Sequence, residues 1–372
     1  MNILILNWRD IKNPKGGGAE ILTHEIAKRW VKKGHNITWF TAEFEGSRLE
    51  ELIDGVKVIR RGHPDVRFLF SSVHFQALGY YRKNAENFDV VIDEIHGLPF
   101  FTPWYVKTKR VVLICEVAGG LWIKMFGLFF GILGRLMERI YLRIIYKDTF
   151  FLTISNSTKE ELIKEGIDSK YITVLPMGLT VPALGRRKIK KEKNPTLIYV
   201  GRISKSKGIE DAIKAFDLIL KKHPNTRLWI VGGGDEKYVS YLKKMAKDLK
   251  VLDKIKFWGF VSQEKKFELM GRAHFLLVPS SKEGWGLIVP EAGWVGTPSI
   301  GYNVAGLKEV IQDRKTGYLT LTNSYKGLAE SINMALENKY EYEKLSKAAK
   351  KLSLSYNWDN TAEVALKVIK RL

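Results

Sequence analysis

Short apolar runs alternate with amphipathic stretches along the whole of this 372-residue chain, and that alternation limits what it can fold into. In the first half, residues 3–7, 36–41, 56–60, 90–93, 111–115 and 150–155 are rich in Val, Ile, Leu and Phe. They are too short for independent helices and unbroken enough for strands buried on both faces. Helical patterns fill residues 19–33, 74–87 and 158–164, and Gly34 supplies a stop after the first of them. The second half repeats the plan, with strands expected at 196–200, 227–231, 256–260, 275–278 and 298–302. Its helices are expected at 209–222, 238–250, 264–271, 286–294 and 325–338. Strands alternating with helices in this way give α/β units around a parallel sheet. Pro176, Gly178 and Pro182, followed by Arg186, Arg187, Lys188, Lys190, Lys191 and Lys193, mark a linker. The reading is therefore two Rossmann-like, doubly wound α/β domains, residues 1–180 and 190–357. Each turns the carboxyl ends of its strands toward a shared cleft. A last helix, about 358–372, is a candidate to cross back onto the first domain.

Composition excludes several classes. At 45% hydrophobic and 12% aromatic, the chain has enough apolar material for two cores and is not a disordered sequence. The single cysteine, Cys115, rules out an intrachain disulfide framework and fits a reducing compartment. Residues 1–7 have no basic region and read as a first strand, so a cytoplasmic location is expected. The net charge of +21 calls for a polyanionic neighbour or for tolerance of self-repulsion. Nucleic acid, an anionic membrane surface, and a lysine-rich surface with no partner all stay open on charge alone.

The densest chemistry lies in Ser280-Ser281-Lys282-Glu283-Gly284-Trp285-Gly286-Leu287-Ile288-Val289-Pro290-Glu291-Ala292. An expected strand ends just before it and a helix is expected from about Gly286. Gly284 and Gly286 allow a sharp turn and a close backbone approach. Free N–H groups at the helix start suit a phosphate. A carboxylate one turn further in, Glu291, suits a pair of sugar hydroxyls. A sugar–phosphate ligand, as in a nucleotide sugar, would satisfy both. Three further loops follow expected strands. Gly16-Gly17-Gly18 opens the first helix but lacks the spacing of a dinucleotide fingerprint or a P-loop. Gly201-Arg202 and Lys207-Gly208 place two cations where a diphosphate could be neutralised. Gly232-Gly233-Gly234 leaves room for a base or phosphates. Each of these also reads as a simple tight turn. The sequence has no Asp-x-Asp element and no Cys/His ligand cluster, so no metal is expected.

In this order, these elements resemble glycosyltransferase family 4, the retaining glycosyltransferases of GT-B fold, over nearly the whole chain. The strongest match is the pair of glutamates eight positions apart, Glu283 and Glu291. Asn7-Trp8-Arg9-Asp10, Gly16–Glu20, Gly201-Arg202, Lys207-Gly208 and Ser155-Asn156-Ser157-Thr158 add to it. The resemblance implies a hexosyltransferase-type enzyme that needs no cofactor or metal. Its donor would be a nucleotide sugar such as a UDP- or GDP-sugar, its acceptor a glycan or a lipid-linked glycan, and no nucleic acid would be involved. It implies that Arg202 and Lys207 hold the diphosphate, with backbone support from Gly286 and Leu287. Glu291 would bind ribose, Glu283 would contact the donor sugar, and Gly233 would lie beside the nucleotide. Gly17 and Gly18 would close on the phosphates from the other domain. Many relatives carry a histidine after the strand at 111–115, where this chain has Glu116. His96, after the preceding strand, is a second candidate for the acceptor or donor sugar. A nucleotide-sugar epimerase of the same fold, or a polyanion-binding protein without catalysis, are the rival readings.

Residues 121–147 are unusually apolar. Lys124 and Arg135 interrupt them, so no unbroken run reaches the length needed to span a bilayer. Arg135, Arg139, Arg143 and Lys147 recur every fourth residue, which on a helix makes one basic stripe. A helix lying in an anionic membrane interface, a core helix with a charged outer face, and an apolar acceptor pocket all fit this pattern. A peripheral place on the membrane is the corresponding expectation for location.

Overall fold

The computed structural model describes residues 1–182 and 189–372. Arg186, Arg187 and Lys188 of the expected linker lie outside the described residues. The chain divides into two compact units, Met1–Gly178 with Asn357–Leu372, and Leu179–Tyr356.

The first unit runs β1 (Asn2–Leu6), α1 (Gly18–Lys32), β2 (Asn36–Thr41), β3 (Glu50–Ile53), β4 (Val56–Arg60) and α2 (Val73–Asn84). It continues with β5 (Val90–Ile95), β6 (Lys109–Ile114), α3 (Leu121–Ile140), β7 (Phe150–Thr153), α4 (Asn156–Lys164) and β8 (Ile172–Val174). The sheet order is β3-β4-β2-β1-β5-β6-β7-β8. Residues 3–6 of β1 are essentially inaccessible, as a central strand covered on both faces must be.

One strand departs from the expected parallel plan. β3 pairs antiparallel with β4 in a hairpin, Ile53 opposite Val56. Asp54 and Gly55 form its two-residue turn, with φ of 49° and 81°, the left-handed pair such tight hairpins require. Glu50-Glu51-Leu52-Ile53 has too little apolar alternation to announce itself, and Leu52 is exposed on the sheet edge.

The second unit runs β9 (Thr196–Val200), α5 (Ile209–Leu220), β10 (Arg227–Val231), α6 (Glu236–Asp248), β11 (Ile255–Gly259), α7 (Gln263–Arg272) and β12 (Phe275–Val278). It ends with α8 (Ile288–Trp294), β13 (Ser299–Gly301), α9 (Ala305–Val310), β14 (Gly317–Leu319), α10 (Tyr325–Glu337) and α11 (Lys339–Ser353). Its six strands are all parallel, in the order β11-β10-β9-β12-β13-β14. Buried Ile209, Ala212, Ile213, Phe216 and Ile219 on α5 follow the three-and-four spacing that lays one helical face on the sheet. The chain then returns to the first unit as α12 (Trp358–Arg371), which packs along α1. The Trp30 indole N–H donates to the Ala362 carbonyl at 2.9 Å, and the Thr361 hydroxyl donates to the Pro176 carbonyl at 2.5 Å.

Candidate functional site

In an open parallel sheet, ligands collect where the strand order reverses, at the carboxyl ends of the strands. In the second unit that reversal lies between β9 and β12, and the loops leaving these two strands meet there. Ser281 donates its backbone N–H to the Ser206 carbonyl at 3.0 Å. Lys207 Nζ donates to Glu283 Oε1 at 2.6 Å, which ties the loop after β9 to the loop after β12. Arg202 is exposed on the same loop as Lys207. Gly208 follows with φ of 69°, and a Cβ there would lie 1.9 Å from the Pro279 carbonyl oxygen. Only glycine lets the two loops approach so closely.

The Glu283-to-Glu291 segment is bent by Gly286, whose φ is 90°. Helix α8 begins at Ile288, two residues later than expected, with Leu287 as its cap. Glu291 lies in its first turn, and its backbone N–H reaches the Leu287 carbonyl at 3.3 Å. Its carboxylate accepts from Lys266 Nζ of α7 at 2.7 Å. Burial pushes the Glu291 carboxyl above its ordinary range, and Lys266 opposes that shift. Lys266 was not singled out from sequence, because nothing in a 25-residue separation links the two. Gly306 of α9 was missed as well. A Cβ there would fall 2.2 Å from the Glu283 carbonyl oxygen, so α9 abuts the segment backbone to backbone.

The three glycines after β10 divide in role. A Cβ on Gly232 would sit 1.9 Å from the Gly201 carbonyl oxygen, and one on Gly234 would sit 2.3 Å from that of Ile203. These two let the β9 and β10 loops pack together. Gly233 has no atom within 4 Å of its Cβ position, and its carbonyl accepts from the Ile203 N–H at 2.8 Å.

In the first unit the strand order reverses between β1 and β5. Asn7, at the end of β1, donates its side-chain amide to Glu94 Oε2 of β5 at 2.5 Å. The Thr23 hydroxyl of α1 donates to Glu94 Oε1 at 2.6 Å, and His96 Nε2 lies 3.5 Å from Oε2. Glu94 is buried, and burial pushes its carboxyl up while His96 and Thr23 oppose the shift. The His96 ring also stacks on Trp8, over which Arg9 sits at 4.1 Å. So the structure brings His96 to the switch point and adds Asn7 and Glu94. Glu116 follows β6 at its carboxyl end and is half-buried; its charge, with those of Glu94 and Glu20, bears on the Cys115 thiol, which burial raises. Gly17 and Gly18 open α1 as expected. The Gly17 N–H is already engaged, however, donating to the Glu20 carboxylate at 2.6 Å. Glu20 thus fills part of the anion-binding role that the glycine turn suggested for itself.

The segment at 121–147 corrects two expectations. It is no core helix, because its apolar side chains face outward: Leu128, Phe129 and Phe130 are 70%, 77% and 65% exposed. Nor do its cations form a free stripe. Arg135, Arg139 and Arg143 converge on the buried Glu165 carboxylate, and Arg135 also holds buried Glu138 at 3.0 Å. A π-helical turn over Tyr141–Ile145 breaks the four-residue phase, and Lys147 lies beyond it, 3.9 Å from Asp148. No helix among the described residues is long and apolar enough to cross a membrane.

Two family models match, one to each half. Residues 16–181 fit "Glycosyltransferase Family 4" and residues 183–352 fit "Glycosyl transferases group 1". Glycogen synthase of Mycobacterium tuberculosis is 28% identical over 243 residues, a match spanning 64% of this chain and 58% of that protein. Among solved structures, sucrose-phosphate synthase from Thermosynechococcus elongatus superposes with a TM-score of 0.81 at 18% identity, covering 100% of this chain and 98% of that one. Anabaena HepE, solved with UDP and glucose, superposes at 0.78 and 17% identity, covering both chains fully.

Proposed function

Since this chain belongs to glycosyltransferase family 4, with two Rossmann-like domains of GT-B type, we propose that it moves a sugar from a nucleotide-sugar donor to a glycan or lipid-linked acceptor, retaining the anomeric configuration. The observation that carries this reading is the Lys207–Glu283 contact at the β9/β12 reversal, with Arg202 on the same loop. A cation and a carboxylate meet, with a second cation on the same loop, where a sugar diphosphate would place anionic oxygens next to hydroxyls.

In this reading the second unit binds the donor. Arg202 and Lys207 hold the diphosphate and stabilise the charge that grows on it as the sugar C–O bond breaks. Backbone at Gly286 and Leu287 supports the same phosphates, Gly233 lies beside the nucleotide, and Glu291 takes the ribose hydroxyls. Glu283, released from Lys207, meets the sugar. The acceptor hydroxyl forms the new C–O bond on the face the diphosphate leaves, and its proton passes to a departing phosphate oxygen. The first unit serves the acceptor, with His96 held between Trp8 and Glu94 and with Glu116 nearby. Gly18 and the engaged Gly17 shape the turn beside them. The phosphate charge is met by side chains, so activity should persist in a chelator.

A UDP- or GDP-sugar is the donor class proposed, and the ligands of the HepE structure make UDP-glucose the first to test. A thermal-shift panel of nucleotide sugars decides it. The true donor raises the melting temperature by mass action, and Lys207→Ala and Glu291→Ala abolish that rise. An undiminished rise in both variants would remove the site assignment, and donor turnover without any acceptor would argue for an epimerase. The anomeric proton coupling of the product tests retention.

A further inference from the structure

Among the described residues, the longest run of exposed apolar side chains lies on a hairpin within α3. Gly127, with φ of 77° and ψ of 179°, breaks the helix into two arms. The arms fold back on each other: a Cβ on Gly131 would lie 2.3 Å from Ile123 Cα, and one on Gly134 would lie 2.5 Å from the Trp122 ring. Glycines on one arm therefore let the other lie flat against it. The bend throws its neighbours outward, with Phe126, Leu128, Phe129 and Phe130 exposed by 52%, 70%, 77% and 65%. Folding leaves this surface in water, although water is the poorest place for it.

The charges around the hairpin choose the occupant. The sequence from 121 to 137 contains no acidic residue. The two carboxylates that its arginines meet are turned inward. Glu138 is 1% exposed and accepts from the Ala118 and Gly119 N–H groups at 2.8 and 2.7 Å, and the Glu165 side chain is 5% exposed. Arg139 and Arg143, about half exposed, share that one carboxylate. The outer surface thus presents apolar bulk and half-exposed guanidinium groups in excess of carboxylate, three arginines to two buried acids. A flat protein partner would match a flat face, whereas a protruding tip of flexible and aromatic side chains fits a fluid layer that closes around it.

We propose that the α3 hairpin is a membrane wedge: residues 126–130 enter the boundary between headgroups and acyl chains of an anionic bilayer, while Arg139 and Arg143 meet its phosphates. The wedge is joined to the first unit's switch point. The Trp122 ring lies 3.4 Å from the Cβ position of Gly97, and the Tyr141 hydroxyl donates to the Gly97 carbonyl at 2.7 Å. Docking would hold the neighbouring His96 close to the lipid surface. Membrane insertion itself does not depend on the enzymatic reading.

Co-sedimentation of the full chain with sonicated vesicles tests this. The protein is expected to pellet with phosphatidylglycerol–phosphatidylcholine vesicles and several-fold less with phosphatidylcholine alone. The double variant Phe129→Ser/Phe130→Ser should lose roughly tenfold or more in partitioning, since each phenyl ring leaves acyl chains for water. Its melting temperature should stay unchanged, because neither ring supports the core. Equal binding by variant and parent, or no binding by the parent, would overturn the wedge. So would a lipid-free dimer, seen by light scattering, that the same double substitution dissociates, because the hairpin would then be a contact between copies.

Discussion

Glu94 shows how much a single buried carboxyl can set. Its folded-state ionisation is pushed above the ordinary value of 4.5, chiefly by burial. A carboxyl raised in the folded state binds its proton more tightly there than in the unfolded chain. Its contribution to stability is therefore fully present below pH 4.5 and declines as pH rises through the folded-state value. Glu94→Gln should flatten that decline, which denaturant titrations at a series of pH values from 4 upward will read. Gly208 makes the opposite kind of demand, steric rather than electrostatic. Gly208→Ala puts a methyl 1.9 Å from the Pro279 oxygen at a left-handed φ, and should cost about 2 kcal/mol or more in urea unfolding. Arg202, Lys207, Glu283 and Glu291 stand out in sequence because charged groups among glycines after apolar runs are chemically conspicuous. Glu94 did not, because its partners Asn7 and Thr23 are 87 and 71 residues away and only the sheet brings them together. Lys266 stayed hidden beside Glu291 for the same reason.

At the scale of elements, legibility followed burial. β5 and β12 are buried throughout and β1, β6 and β9 over all but their end residues, and their short apolar runs mark them. β3 is a polar edge strand held by its turn, and β8 and β14 have three residues each, too few for a period to register. For α3, the apolar run gave the helix but not its fold-back, which rests on one glycine angle and two glycine contacts. That geometry yields a paired prediction. Gly131→Ala drives a methyl into the Ile123 backbone and should lower the melting temperature by several degrees. Gly79→Ala, on the exposed face of α2 with nothing within 4 Å, should instead stabilise by about 0.5–1 kcal/mol through helix propensity. Differential scanning calorimetry of the two variants separates packing from propensity.

Across the whole molecule, the two units are stitched by a chain that leaves the first unit after Gly178 and comes back at Asn357. Trp358 packs where a Cβ on Gly178 would lie 2.1 Å from its ring, so the returning helix is wedged under the point of departure. Trp358→Ala should cost about 3–5 kcal/mol and should loosen the first unit alone. Hydrogen exchange is expected to quicken in β1 and α1 while β9 to β14 keep their protection. The sequence announced a terminal helix by its period, but its partner is set by tertiary packing that no local pattern encodes. This return also sets an order of events in time. A ribosome must make all of Leu179–Tyr356 before α12 exists, an interval on the order of ten seconds or more at ordinary elongation rates. During that interval Trp30 and its neighbours on α1 lack the cover that α12 gives them, so the half of the protein that is made first is the half that is finished last.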